Sequence, residues 1–396
     1  MIGQLISLVG TWMQTTAQQW LVYRLTGSVA LLGIFTFANQ LPMLLLAWMG
    51  GYVGDRYNRH HGVIVTQSCS MVLAFVLAAL TLTHLIREWH LIVIAFLVGI
   101  VNAFDVPIRQ SFFVQMVGKQ DLPNAIALNS SIFNGARVVG PAIAGLAIVL
   151  LGEGWCFFLN GVSFIAVLVA LLMMQIELSS RKPPEESPVR SFVQGFKFAM
   201  HDVPIRSALF MLCLLSFFGL QYSVFLPIYA GDILHGGPKT FSWLMSAAGM
   251  GAVLGALQFA ARTRYTGLAR WIATTCTVCA VGLIIMSRAT VFWLCAALLF
   301  TVGFAATSQM AATNTIIQQR VPDELRSRLM AVYATMFMGV QPLGALLAGG
   351  VGKRIGTPNT VLLFGAVVLS GCIFFIWRVA ARTGSAQVGA TVGASD

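Results

Sequence analysis

Continuous apolar runs, each the length of a membrane crossing and broken by short polar or turn-forming stretches, fill most of the chain. Read against turn and charge signals, they predict spanning helices near 2–23, 29–54, 62–84, 89–112, 125–151 and 154–176. A second group falls near 205–233, 239–261, 268–288, 290–313, 326–351 and 358–381. Because the runs do not alternate, a β-barrel is excluded. Between the groups lies the one long polar stretch, Glu177-Leu-Ser-Ser-Arg-Lys-Pro-Pro-Glu-Glu-Ser-Pro, which has the composition of a linker. Val189, Phe192, Val193, Phe196 and Met200 then recur at helical spacing, which predicts a short amphipathic helix on the membrane surface. The expected organisation is a six-helix half at 1–176, a cytoplasmic linker at 177–204, a second six-helix half at 205–382 and a disordered cytoplasmic tail at 383–396.

Composition agrees with an all-α polytopic membrane protein: 58% of residues are hydrophobic, 9% are charged, and mean hydropathy is +0.82. A soluble domain carries about 25% charged residues. Twelve spans use roughly 240–300 residues, so nothing large stands outside the bundle. There is no room for a nucleotide-binding domain and no G-x-x-x-x-G-K-[ST], so the chain is not its own ATPase. HExxH and GxSxG are also missing, which argues against an intramembrane enzyme. The seven cysteines, Cys69 to Cys372, all lie in apolar stretches. Cys276 and Cys279 form a CxxC with no second pair, so no metal or cofactor is expected. The chain opens almost directly in a span, Ile2-Gly-Gln-Leu, with no basic leader. That predicts either a very short tail or a start internal to the natural one.

A net charge of +11 does not signal nucleic acid, since the basic residues stand singly in short loops. With both ends on one side, that side collects Arg56, Arg59, Arg109, Lys119, Arg181, Lys182, Arg190, Lys197, Arg206, Arg262, Arg264, Arg270, Arg320, Arg326, Arg328, Arg378 and Arg382. The other side holds Arg24, Arg87, Lys239, Arg288, Lys353 and Arg354, and Arg137 lies within a span; together these are the 24 Lys and Arg. Lys and Arg concentrate in cytoplasmic loops, so both termini are expected inside, in a plasma (inner) membrane.

The halves repeat. At an offset of 204, Gly51 meets Gly255, Val98-Gly99 meets Val302-Gly303, and Gly135, Gly140 and Gly145 meet Gly339, Gly344 and Gly349. Parallel repeats of this kind place a binding site at their interface.

Three constellations carry chemistry. Between spans two and three, Gly51-Tyr-Val-Gly54-Asp55-Arg56-Tyr-Asn-Arg59 combines glycines that allow close helix approach with charges suited to a latch. In span four, Asp105 and Arg109 stand four apart on one helix face, with Pro107 between them and Asn102 one turn before. An acid inside a span is a functional candidate, here about 10 Å from the cytoplasmic face by helix rise. Span five reads Gly135-Ala-Arg137-Val-Val-Gly140-Pro141-Ala-Ile-Ala-Gly145, with Arg137 about 18 Å deep. Its glycines recur every five residues and so relieve crowding on several sides of a bending helix. Their partners, with Pro342, put a similar hinge in span eleven.

The loop between spans two and three resembles the G-x-x-x-D-R-x-x-R gate of the major facilitator superfamily. Span five resembles the G-x-x-x-G-P-x-x-x-G antiporter signature of its exporters, with the first glycine one place earlier. Gly10-Thr-Trp12-Met-Gln14, Trp20-Leu-Val-Tyr23-Arg24-Leu-Thr26-Gly27-Ser28, Asp105-x-Pro107-x-Arg109-Gln110 and Val321-Pro-Asp323-Glu324-Leu325-Arg326 look like the transmembrane secretion effector branch, over nearly the whole chain. The resemblance implies twelve transmembrane helices in two pseudo-symmetric halves, a monomer without cofactor, and alternating access. It implies export of a drug-like compound or siderophore in exchange for protons, with the lipid bilayer as the other partner. Asp55 is then expected near the start of span eleven, around 323–326, and Asp105 near Arg59. Spans one, four, seven and ten would line the cavity with Trp12, Gln14, Gln18, Asn102, Gln221, Tyr222 and Gln309. One departure stands out: Leu91–Val98 is apolar where the superfamily places an antiporter arginine in span four, leaving its role to Arg137 or Arg109. An uptake carrier and a transport-inactive sensor are the competing readings.

Overall fold

A computed structural model describes residues 2–174, 188–262 and 267–392. Its first half contains α1 (Ile2–Thr26), α2 (Val29–Arg56), α3 (Arg59–Leu82), α4 (Glu88–Leu151) and α5 (Glu153–Leu172). A bridging helix, α6 (Pro188–His201), follows. The second half begins with α7 (Val203–Phe217), α8 (Tyr222–Ile228), α9 (Gly237–Ala260) and α10 (Leu268–Met286). It ends with α11 (Phe292–Arg320), α12 (Asp323–Ala334), α13 (Gln341–Ile355) and α14 (Thr357–Val392).

Helical hydrogen bonding runs unbroken through α4, yet α4 is two antiparallel spans. The space beside Gly154, just past its C-terminal end, is filled by Leu82, six residues before its N-terminal end. Six residues reach about 21 Å, whereas 64 helical residues laid straight would reach about 96 Å. The chain therefore turns back between its candidate spans Glu88–Phe113 and Asn124–Leu151.

Among the described residues, eleven helices are long and apolar enough to cross a membrane. The twelfth expected span, α1, has the length but carries too many glutamines, serines and threonines to join them. Its placement explains the polarity. Gly3 lies against Ala166, Gly10 against Asn160 and Ser163, and Arg24 bonds Glu153, so α1 runs antiparallel along the whole of span α5. Gln14, Thr16 and Gln18 are buried inside the bundle rather than turned to lipid.

The repeat is visible in the backbone. Gly152 and Gly356, 204 apart, both adopt positive φ (91° and 82°) at the turns before α5 and α14. Gly99 faces the Asn39 carbonyl and Gly303 the Ala248 carbonyl, each closing a pair of spans within its half. Gly140 meets α1 and Gly344 meets α7, while Gly145 meets α9 and Gly349 meets α2. The last two contacts join the halves, related by the pseudo-two-fold.

Segment 177–187 of the expected linker lies outside the described residues. Helix α6 packs on α12: Gly195 faces the Arg328 carbonyl, and Arg328 donates to Gln194. The backbone of α14 continues to Val392, past residue 382 where a disordered tail is expected. A helix already nucleated gains one hydrogen bond for each residue it fixes, so extending it costs far less than starting one. All seven thiols are free.

A side chain at Gly303 collides with backbone, which cannot turn aside. Gly303→Leu is therefore expected to cost at least about 1–3 kcal/mol, lowering the thermal midpoint in detergent followed by tryptophan fluorescence. Gly350→Ala, where nothing stands within 4 Å, is expected to leave it unchanged or raise it through helix propensity.

Candidate functional site

The halves meet most tightly at the face with few basic residues. Here Tyr23 Oη of α1 donates to Asp232 Oδ1 at 2.5 Å. Asp232 is presented by a π-helical turn, Tyr229–Ile233, that follows α8. Neighbouring Gly231 leaves the space that the Tyr23 hydroxyl fills; any Cβ there would overlap it. One turn back along α1, Trp20 stacks on Phe241 of α9, with ring centroids 6.0 Å apart and planes 25° apart. A methyl built on Gly33 would lie 2.6 Å from the Ala345 carbonyl oxygen, and one on Gly145 would lie 2.5 Å from Ser242 Cβ. Beside this seal, Arg24 Nε reaches Glu153 Oε1 at 2.7 Å and ties α1 to the N-terminus of α5, where a carboxylate is favoured.

Deeper in, the Arg137 guanidinium lies over the Trp12 ring, 5.8 Å from its centre, and Trp12 meets Phe133 edge-on at 5.9 Å. The small residue Gly140 makes this possible, because a Cβ there would sit 2.5 Å from Trp12 Cβ. The same stretch borders the second half: Ser246 Oγ donates to the Val138 carbonyl at 3.0 Å, and Gly249 faces the Arg137 carbonyl. Among the described residues no carboxylate pairs with Arg137. Phe133 escaped notice in the sequence because it precedes the glycine signature.

The expected cavity residues divide. Gln14 Oε1 accepts from Asn160 Nδ2 at 2.7 Å, so it bridges α1 to α5 inside the first half instead of facing a cavity. Gln221 Nε2 donates to the Ser216 and Gln341 carbonyls, bracing the break between α7 and α8 against α13. Tyr222 is buried in the apolar core, whereas Asn102 is exposed. Gln18 and Gln309 differ from the others. Each is buried, yet Gln18 Nε2 and Gln309 Oε1 have no hydrogen-bond partner among the described residues. A buried polar atom left open is costly, and these two are the atoms best suited to a ligand.

Asp105 is 4% exposed and fully engaged. It pairs with Arg109 at 3.2 Å and accepts from Thr66 Oγ1 at 2.7 Å and Gln67 Nε2 at 2.9 Å. Of the two cations expected beside Asp105, Arg109 is the one seen to pair with it, together with the donors of α3. The reason is local: Arg109 sits one helical turn away, while Arg59 opens α3 at the basic face. All these partners belong to the first half, so rocking of the halves leaves them together.

At Gly51, Gly54 and Asp55 only the helical backbone is described; their contacts, and those of Asp323 and Glu324, lie outside the described residues. Neighbouring Gly50 brings α2 close to α4, facing the Ala103 carbonyl and Pro107. Arg56 Nη1 donates to Tyr52 Oη at 2.7 Å, and this bond raises the guanidinium pKa above its ordinary value.

The paired hinges are not alike. Backbone α4 stays α-helical through Pro141, whereas its counterpart widens to a π-turn at Thr335–Gly339 before Pro342. Gly135 has open space around it, while Gly339 meets Leu44 of α2. The three span-five glycines therefore serve as two packing contacts and one open site.

Residues 1–391 match the family described as transmembrane secretion effector. The chain is 24% identical over 382 residues to the staphyloferrin A transporter of Staphylococcus aureus, covering 93% of each. It is 25% identical to the multidrug efflux pump Tap of Mycolicibacterium fortuitum, covering 89% of this chain and 88% of that one. To the enterobactin exporter EntS of Shigella boydii it is 24% identical, with 89% and 84% covered. Among solved structures, the nucleoside transporter NupG superposes with a TM-score of 0.74 at 12% identity, covering 95% and 96%. A bacterial homologue of the lysosomal transporter Spinster gives 0.72 at 14%, covering 96% and 95%.

Loss of the Tyr23–Asp232 bond is expected to favour opening of the sealed face. A hydrogen bond to a charged group contributes about 1.5–3 kcal/mol, so Tyr23→Phe and Asp232→Asn should each shift the open-to-closed ratio at least about tenfold. Maleimide labelling of an Ala30→Cys probe in a cysteine-free background, applied from that side of the membrane, measures the shift.

Proposed function

The chain belongs to the transmembrane secretion effector family of the major facilitator superfamily, a family of multi-pass membrane transporters and not of enzymes, and on that premise we propose that it exports an amphipathic small molecule bearing an acidic group, such as a siderophore, in exchange for protons. The observation that carries this is Arg137. A cation inside a span is kept only for a reason. This one lies on an aromatic ring where the halves meet, with no carboxylate of the chain beside it among the described residues. Substrate supplies the missing anion, and Trp12 and Phe133 take its apolar body. Gln18 and Gln309 offer one unused donor and one unused acceptor. Relatives named as siderophore and drug transporters support the class of cargo and the outward direction.

In this proposal the protein works as a monomer in the inner membrane with both termini in the cytoplasm, as its basic residues favour. The seal at Tyr23–Asp232 and Gly33–Ala345 closes the outer face while substrate enters from the basic, cytoplasmic side. That side's positive potential gathers acidic molecules. Rocking of the halves then breaks the outer seal and releases the substrate outside. Asp105 is the candidate proton carrier, and because its partners move with it, its proton exchange depends on water reaching it from the cytoplasmic face.

Two measurements test the proposal. In everted vesicles, Arg137→Gln is expected to lower transport of a carboxylate siderophore at least about tenfold, with a smaller loss for Arg137→Lys, which keeps the charge without the planar stack. Transport by Arg137→Gln at the wild-type rate would remove the acidic-substrate assignment. Asp105→Asn is expected to abolish accumulation driven by a pH gradient while permitting downhill exchange; undiminished uphill transport would place coupling elsewhere.

A further inference from the structure

Beyond the transport pathway, the loop joining α9 to α10 holds two donors with nothing to bond. Arg262 stands two residues past α9, and Trp271 lies in the first turn of α10, both at the basic edge of their membrane spans. The guanidinium carbon of Arg262 is 4.2 Å from the centre of the Trp271 ring, with Phe259 on another side at 5.9 Å. Arg262 Nη1 and Trp271 Nε1 are both buried, and neither has a hydrogen-bond partner among the described residues. Among the described residues no carboxylate pairs with Arg262, and from Ile233 to Pro322 the sequence has no Asp or Glu. Asp202, on the same face, is engaged by Arg320 at 3.4 Å. By the internal repeat, Phe259 stands where the first half has Asp55 and Arg262 where it has Asn58, so this loop lacks the acid of the charged turn.

We propose that Arg262 and Trp271 form a binding site for the phosphate of an anionic phospholipid headgroup in the leaflet at the basic face. A phosphodiester offers acceptor oxygens to both orphan donors and neutralises the guanidinium. Its acyl chains continue into the hydrocarbon beside α9 and α10. Trp271 sits where interfacial tryptophans lie, at headgroup level, and its ring holds the guanidinium in place by cation–π attraction. A bound headgroup would brace the α9–α10 turn independently of the substrate site.

The test uses the full chain purified in detergent, with native mass spectrometry reading retained lipid after equilibration with equal phosphatidylglycerol and phosphatidylcholine. Wild type is expected to retain phosphatidylglycerol preferentially. Arg262→Gln should reduce that preference at least about tenfold, and Trp271→Phe, which keeps the ring and removes the N–H, should reduce it by a smaller factor. If Arg262→Gln does not fold, Trp271→Phe alone decides. Preference unchanged in both variants would overturn the site. Displacement of phosphatidylglycerol by millimolar inorganic phosphate would overturn the lipid assignment in favour of a soluble phosphate.

Discussion

Everything in this molecule depends on the backbone of one helix touching the backbone of another. Lipid chains are as apolar as leucine, so no hydrophobic force draws spans together inside a bilayer, and close contact has to do that work. The contacts here are glycines set against carbonyls: Gly50 on Ala103, Gly99 on Asn39, Gly251 on Phe300, Gly303 on Ala248. Each half is thereby a tightly joined unit. The halves are joined to one another by a second, smaller set of such contacts, Gly33 with Ala345 and Gly349, and Gly145 with Ser242. Firm union within each half and a limited seam between them is the mechanical condition for movement about that seam.

Charge is distributed on the same plan. Pairs within one half move with that half: Arg24 with Glu153 at the ends of α1 and α5, and Asp105 with Arg109 and the donors of α3. The Tyr23–Asp232 bond crosses the seam and so reports which way the molecule is closed. Arg137 also sits at the seam, and its partner is an aromatic ring instead of an acid. Among the described residues no carboxylate neutralises it, and that is the place the proposed acidic cargo would take.

Much of this was legible in the order of residues, for physical reasons. Spans announce themselves because lipid demands a continuous apolar run, and the glycines at 140, 145, 344 and 349 keep their spacing because both halves use them alike. Partnership was harder to read. Gln14 and Gln18 look equivalent, one turn apart on α1, yet Asn160, 146 positions away, claims the first and leaves a donor of the second open. Asp232, at the end of the predicted span 205–233, shows no partner in the sequence until a π-turn brings it to Tyr23, 209 positions earlier. Helix α1 fell short of span hydropathy because its polar side chains face protein, which only the packing reveals. Gly152 and Gly356 repeat at the same offset as the glycines in the spans, but what they share is a backbone angle, invisible in composition.

Both π-turns, Tyr229–Ile233 and Thr335–Gly339, belong to the second half, and each adjoins a contact across the seam. A π-turn holds one residue more than its helix needs, much as a dislocation holds an extra row in a crystal. Such turns are rare within α-helices and occur frequently at functional sites. Among the described residues the first half has none. In the language of machines, for the proposed rocking α1 to α5 would be the stator, and the slack for making and unmaking the seam would lie in its partner.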